Sequence, residues 1–209
     1  MIKYPRTPHL PFSPNRSNDD RVLKSLDHFV GMKIVILIKM DGENSTLYPN
    51  DCHARSLDSN NHVSRNWLKN KHASIKHLIP ENYRICGENI YAQHTIHYNN
   101  LSDYFLVFSI WNGNICLSWQ DTIGFCEKLG LKTVPEYKTC IFNEKELQKL
   151  KITEFENDVC EGFVIRNAES FTFEKFNKNI AKYVNPTFTI QGDHWTHKNI
   201  IKNELRKDF

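Results

Sequence analysis

Residues 32–38 read MKIVILI, and they leave the chain little freedom. A nearly continuous run of β-branched and aliphatic side chains has no polar face, so it fits a strand buried on both sides. It is far shorter than the roughly 18 apolar residues a membrane span needs. A second such run, YFLVFSIW at 104–111, is followed by Asn112-Gly113-Asn114 and then ICL, the pattern of a hairpin. Strands of this kind need layers packed against both faces. With 209 residues, 40% of them hydrophobic, the chain has the material for a core.

The remaining pattern mixes helices and strands. Apolar positions 22, 23, 26, 29 and 30 predict a short helix over 20–30. A helix is expected over 64–79, with Trp67, Leu68, Ile75, Leu78 and Ile79 inward and Pro80 ending it. Others are expected over 118–130, stopping at Gly130, over 143–151, and as an amphipathic C-terminal helix over 193–209. Strands are expected near 45–48 and over 83–91, EGFVIRN (161–167) and IAKYV (180–184). Pro5, Pro8, Pro11 and Pro14 make residues 1–20 an extended lead-in. There is no internal repeat and no Gly-, Ser- or Pro-rich linker, so the expectation is one α+β domain over 1–209.

The formal charge of +3, from 27 basic and 24 acidic residues, does not by itself call for nucleic acid. The six cysteines have no C-x-x-C spacing, and the histidine spacings at 72–77 and 94–97 are too loose for a zinc site. The N-terminus has no apolar signal core and no run is long enough for a span, so a cytoplasmic protein with reduced thiols is expected.

Three of the apolar strands carry charge where burial makes charge costly. MKIVILI delivers Lys39, EGFVIRN starts at Glu161, and IAKYV contains Lys182. Desolvation and a second cation lower a lysine pKa and make it a nucleophile, whereas Asp41 and Glu161 act in the opposite direction unless a divalent metal neutralises them. Two hard carboxylates and a phosphate oxygen suit magnesium, and Gly42 lets the backbone turn beside a bulky ligand. The pattern points to attack by a lysine on phosphorus, with metal and lysine absorbing charge.

Lys39-Met40-Asp41-Gly42 resembles the K-x-D-G signature of the covalent nucleotidyltransferases, which include DNA ligases, RNA ligases and capping enzymes. Further matches follow in order: Arg55 in HARS, Glu88 in GENIY, the aromatic YFLVFSIW, Glu161-Gly162-Phe163-Val164-Ile165-Arg166, and Lys182 in IAKYV. Within that superfamily the chain is most similar to the RNA ligases. GENST with Asn44, the N-terminal KYPRTPHLPFSP and the late AKYV with His194-Trp195 carry this likeness, from about residue 3 to about 197.

The resemblance implies an ATP-grasp-like adenylation fold of antiparallel sheets flanked by helices. It implies an ATP-dependent RNA ligase using Mg2+ (or Mn2+). Lys39 would become lysyl-AMP, AMP would pass to a 5′-phosphate, and a 3′-OH would then displace it. The implied roles are Glu88 on the ribose, Arg55 on sugar or phosphate, and Phe108 stacked on adenine, with Phe105 as the alternative. Ile38 and Gly42 would flank the nucleotide. Glu161 and Asp41 would hold the metal, Lys182 would contact the α-phosphate, and Asn44 would order metal-bound water or the reacting ends. Arg6, Arg55, Lys198 and Lys202 would contact nucleic acid. Arg6 and His9 either touch an RNA phosphate or belong to a lead-in packed on the domain. The implied partner is nicked or broken RNA, with DNA on one side and a protein partner left open, and no membrane.

Two departures stand out. Many family members carry a second lysine two residues before the position of Lys182; here that residue is Ile180, and Lys178 lies four residues away, ~13 Å along a strand. Second, about 25 residues follow Lys182, too few for the oligonucleotide-binding barrel of DNA ligases and capping enzymes. The alternatives are a GTP-dependent capping-type guanylyltransferase and a degenerate module that binds nucleotide and RNA without joining them.

Overall fold

The MKIVILI run becomes an interior strand, and the architecture follows from covering it. The computed structural model describes residues 1–56, 62–188 and 200–207. In chain order the strands are β1 (Lys33–Lys39), β2 (Glu43–Leu47), β3 (Cys52–Ala54), β4 (Tyr83–Asn89), β5 (Phe105–Asn112), β6 (Ile115–Cys116) and β7 (Lys132–Thr133). Then come β8 (Glu136–Ile141), β9 (Glu154–Phe155), β10 (Asp158–Val159), β11 (Gly162–Asn167), β12 (Phe171–Thr172) and β13 (Ile180–Val184). Helices α1 (Asn66–Ile75), α2 (Trp119–Leu129) and α3 (Glu144–Lys149) complete the described elements, with short 3₁₀ turns between them. This is an α+β fold of antiparallel sheets with few helices.

One sheet has the order β13-β11-β1-β8, and every pairing in it is antiparallel. The other runs β12-β6-β5-β4-β2-β3, with β7 added parallel to β5. β9 and β10 form a separate ribbon. In β1, Ile34 through Ile38 are all buried, which is why the run needs no polar face. At the β4–β5 pairing the register shifts between Cys86 and Gly87, so Phe108 sits at a bulge. A bulge re-aims the side chain it carries.

The helices begin and end on local signals. Ser118 caps α2 by accepting from the Asp121 N–H, and Gly130 closes it at φ 63°. α1 ends at Ile75 and tightens into a 3₁₀ turn, which swings Leu78 out to 50% exposure while Ile79 stays buried.

The expected helix over 20–30 is a correction. Its helical content is one 3₁₀ turn, Asp27–Phe29, and Val22 and Val30 face solvent. The backbone is used elsewhere: His9 N–H donates to Arg21 O, and Leu23 N–H donates to His9 O. The expected C-terminal helix is a second correction. Residues 193–199 lie outside the described part, and residues 200–207 are extended, with Lys202 bridging Ala92 and Leu205 bridging Leu101. Buried Asn203 pins this stretch. Its side chain donates to Ile90 O and accepts from the Tyr98 N–H, and its backbone N–H donates to Tyr91 O. Among the described residues no helix is long and apolar enough to cross a membrane.

Candidate functional site

The ends of β1, β11 and β13 form the floor of a cavity of about 620 Å3. Lys39 closes β1 opposite Gly162, and Glu161 immediately precedes β11. Lys39 Nζ lies 2.6 Å from Glu161 Oε2. Gly162, at φ 154°, has no space for a side chain, because a Cβ there would collide with the Tyr183 carbonyl of β13. That close approach brings Lys182, paired opposite Val164, to the same cavity. Buried Asn185 fixes the acid from below: its N–H donates to Glu161 O, and its side chain donates to Cys160 O and Ile152 O.

The second sheet forms the opposite wall. Asn44 on β2 faces Glu88 on β4 in register, and both line the cavity. Gly42 permits this packing, since a Cβ there would stand 2.5 Å from Ile90 Cγ2 and 2.8 Å from Asn89 O. The bulge turns Phe108 into the cavity, while Phe105 is fully buried in the other direction, with its ring against Gly87. Arg166 supports this wall. It is 1% exposed and donates to Phe108 O (3.1 Å) and Leu117 O (2.7 Å), with its guanidinium 5.4 Å from the centre of the Trp119 ring.

The third wall is the N-terminal segment, here called the strap. Tyr4 is buried edge-on to Phe108 and Phe176. Further along, Lys182 N–H donates to Pro8 O and Leu10 N–H donates to Lys182 O, so the strap extends the sheet beyond β13. Asp20 Oδ1 lies 3.5 Å from Lys182 Nζ, and Asp19 pairs with Arg6 at 2.8 Å. Proline spacing identifies an extended segment, and the expected lead-in packed on the domain is seen here, with Arg6 and His9 on the cavity; which residues it packs on is not given by the spacing. Asp19 and Asp20 carry no role in the sequence reading, and their place beside Arg6 and Lys182 is visible only in the fold.

The charges shape one another. Burial disfavours the Lys39 ammonium, but Glu161, Glu88 and Asp41 outweigh it and hold its pKa above the usual lysine value. This is the direction expected of Asp41 and Glu161 when no divalent metal neutralises them, with Glu88 adding to it. Burial, with the Lys39 charge added, pulls the Lys182 pKa down. Burial pushes Glu88 up to about 8 against the attraction of Lys39, and burial also raises Glu161. The cavity thus holds a lysine–glutamate pair, a second lysine with reduced proton affinity, and a carboxyl that is largely neutral near pH 7.

The structure brings Ile38, Lys39, Asn44, Arg55, Glu88, Phe108, Glu161, Lys182 and Arg6 to this one cavity. Arg55 is held by a bond from Nε to Tyr4 O. Asp41 is turned to another task. Its Oδ2 accepts from the N–H groups of Thr95 (2.7 Å) and Ile96 (2.8 Å), and its own N–H donates to the Tyr98 hydroxyl. It is not among the described residues that line the cavity, so the expected Glu161–Asp41 metal pair does not assemble there. Among the described residues no three His, Cys, Asp or Glu side chains are grouped to hold a metal. Lys178 is exposed at the end of a 3₁₀ turn, with its charge felt by His28, and does not stand in for a second lysine beside Lys182. Lys202 lies away from the cavity, over the rings of Tyr91 and Tyr104. Lys198 is outside the described residues.

Comparison with solved structures returns RNA ligase from Naegleria gruberi. The form with PPi aligns at a TM-score of 0.55 and 18% identity, covering 76% of this chain and 51% of that one. A mutant with ATP and Mn aligns at 0.57 and 17% identity, covering 77% and 52%. The chain spans about half the length of these structures, and at such identities the likeness concerns the fold. Comparison with curated proteins gives no significant match. The sequence profile described as RNA ligase, however, matches residues 32–184, the span from the start of β1 to the end of β13. Lys39, Glu88, Glu161 and Lys182 all lie inside that match, and the chain belongs to the RNA ligase family.

Proposed function

We propose that this chain is the adenylation domain of an ATP-dependent RNA ligase, with Lys39 as the nucleophile that becomes lysyl-AMP. The observation that carries this reading is the Lys39–Glu161 pair at 2.6 Å, on the floor of a cavity large enough for a nucleotide and flanked by Lys182 and Glu88. Family membership supports RNA as the substrate. The Naegleria structures with ATP and Mn support ATP and a divalent cation.

In this reading ATP lies with its adenine against Phe108 and its ribose hydroxyls toward Glu88. Glu88 held neutral is a hydrogen-bond donor as well as an acceptor. Lys39 Nζ attacks the α-phosphorus, an N–P bond forms, and the bond to the bridging oxygen breaks as pyrophosphate leaves. The ammonium proton must go first, and the Glu161 carboxylate at 2.6 Å is placed to receive it. Lys182 balances charge on the phosphoryl oxygens. The AMP then passes to the 5′-phosphate of an RNA end, and a 3′-OH displaces it to seal the strand.

The donor set fits a divalent cation. Asn44 Oδ1 is a buried oxygen with no hydrogen-bond partner, and Glu161 adds a carboxylate on the same cavity. Magnesium needs only one or two protein oxygens beside phosphate and water. When bound, such an ion adds positive charge that offsets the carboxylates and lowers the lysine pKa.

The test is covalent labelling with α-labelled ATP or GTP and magnesium, followed by a denaturing gel, on the wild type and Lys39→Ala. Label from ATP that is lost in the variant is expected. Label from GTP would move the reading to capping. A folded protein that takes label from neither nucleotide would leave a binding module.

A further inference from the structure

His9 is 1% exposed and lines the cavity, yet its Nε2 makes no hydrogen bond. Its other nitrogen, Nδ1, lies 2.9 Å from Ser13 Oγ. That hydroxyl accepts from the Val184 N–H and has a proton to give to Nδ1, and the Asp20 carboxylate 3.3 Å from Nε2 favours the tautomer with its hydrogen on Nε2. Burial and then the Lys182 charge lower the His9 pKa to about 4, which keeps the ring neutral. A buried N–H without a partner is costly and calls for an acceptor.

An anion lies beside that N–H. Asp20 Oδ2 lies 3.3 Å from His9 Nε2 without the alignment of a hydrogen bond, and Oδ1 lies 3.5 Å from Lys182 Nζ. The carboxylate is held from behind by the Ser17 N–H and hydroxyl, each at 2.9 Å. Its neighbour Asp19 pairs with Arg6 on the same cavity. The strap therefore sets its own carboxylates on two cations of the cavity.

We propose that Lys182 and His9 form an oxyanion subsite that Asp20 fills in the free protein and that a phosphate group takes over by displacing it. A phosphate offers more acceptor oxygens than Asp20 presents, enough to meet the Lys182 ammonium and the His9 Nε2–H together. His9 then supplies a donor at a site where Ile180 stands in place of a second lysine. The proposal rests on the nucleotide reading for its ligand, which is either the pyrophosphate portion of ATP or the 5′-phosphate of RNA.

Titration calorimetry with inorganic pyrophosphate tests it, beside an oligoribonucleotide carrying a 5′-phosphate and the same oligonucleotide with a 5′-hydroxyl. Because the variants change binding in opposite directions, a general loss of structure does not imitate the result. Asp20→Asn removes the competitor and is expected to bind about fivefold tighter, as for a partly exposed ion pair. His9→Ala is expected to bind about fivefold weaker, the size of one hydrogen bond, and His9→Gln, which keeps an N–H donor, close to wild type. The ligand that shows this pattern identifies the source of the phosphate. The proposal falls if Asp20→Asn binds no tighter, if His9→Ala binds as wild type does, or if the wild type binds neither phosphate ligand. Should His9→Ala not fold, the direction of Asp20→Asn decides, since that residue sits on a surface turn. No covalent step is involved. If Lys39 takes no label while the pattern holds, the ligase reading falls and the subsite stands.

Discussion

The floor of the cavity and the strap that walls it meet at Lys182, and they are held in different ways. On the floor, Lys39 and Lys182 sit on β1 and β13 and Glu161 directly precedes β11, and these strands are largely buried and paired on both sides. Moving one of these charges means breaking a ladder. The strap is held by the Tyr4 ring, the buried side chains of His9 and Leu10, backbone bonds to Lys182, and ion pairs at Asp19 and Asp20. Its exposed turn at residues 16–19 can open without breaking a strand ladder, because local opening costs little where few buried contacts are lost. A site that must pin a nucleophile and still admit a large ligand gains from having one wall of each kind.

The sharpest way to break this contrast is to add one carbon to the floor. Gly162→Ala places a Cβ against the Tyr183 carbonyl, at a backbone angle that side chains rarely adopt. A loss of about 3 kcal/mol in urea unfolding is expected, the range for strain plus a disrupted core. If the variant loses less than about 1 kcal/mol, β13 can shift and the floor is not rigid.

The second prediction concerns the charge on the opposite wall. Glu88 has its pKa raised to about 8, chiefly by burial, against an ordinary value of 4.5. A carboxyl raised on folding contributes stability that is full below about pH 4.5 and is lost as pH rises through 8. Glu88→Gln cannot ionise, so its stability advantage over wild type should grow between pH 5 and pH 8, by about 2 kcal/mol, less than the ~3.5 kcal/mol of the full shift because Glu88 is only half-buried on the cavity wall. Chemical denaturation of both proteins at the two pH values, with chelator present, measures it. Parallel curves would mean that Lys39 keeps Glu88 charged throughout.

How far the sequence was legible divides along the same line. Lys39, Glu161 and Lys182 stood out because a charge on an apolar strand conflicts with burial, and such a conflict is visible one residue at a time. Their convergence follows from strand pairing, which the apolar runs announce. Phe108 was singled out for its ring, but only the bulge opposite Cys86 and Gly87 explains why it faces the cavity while Phe105 does not. The strap was legible only as an extended lead-in that packs on the domain or reaches RNA, because its particular contacts, from Tyr4 to Phe176 and from Asp20 to Lys182, are far apart in sequence. The helical spacing over 20–30 misled for the same reason, since the backbone around Val22 is taken by His9. Asp41 sits beside the nucleophile in sequence, yet its carboxylate serves the backbone of Thr95 and Ile96. Proximity along the chain cannot distinguish a ligand from a brace.

The smallest predicted effect belongs to the strap. His9 has a pKa lowered to about 4 by burial and by Lys182, with Asp20 opposing and Lys39 and Arg16 adding to the depression. A base depressed on folding contributes stability above its unfolded value, near 6.5, and loses it as pH falls toward 4. Asp20, held at about 2 by its bonds to Ser17 in spite of burial, stays charged across this window and does not confuse the reading. Hydrogen exchange at Leu10 and Leu23, whose N–H groups bond to Lys182 O and His9 O, should therefore speed up between pH 6.5 and pH 5 beyond the intrinsic pH dependence. The expected loss is about 1 kcal/mol, below the limit set by the full shift because the strap opens without unfolding the sheets. His9→Gln should remove the acid dependence and leave amides of β1 and β11 unchanged. If those strand amides followed the strap, the two walls would be one cooperative unit and the contrast between them would not hold.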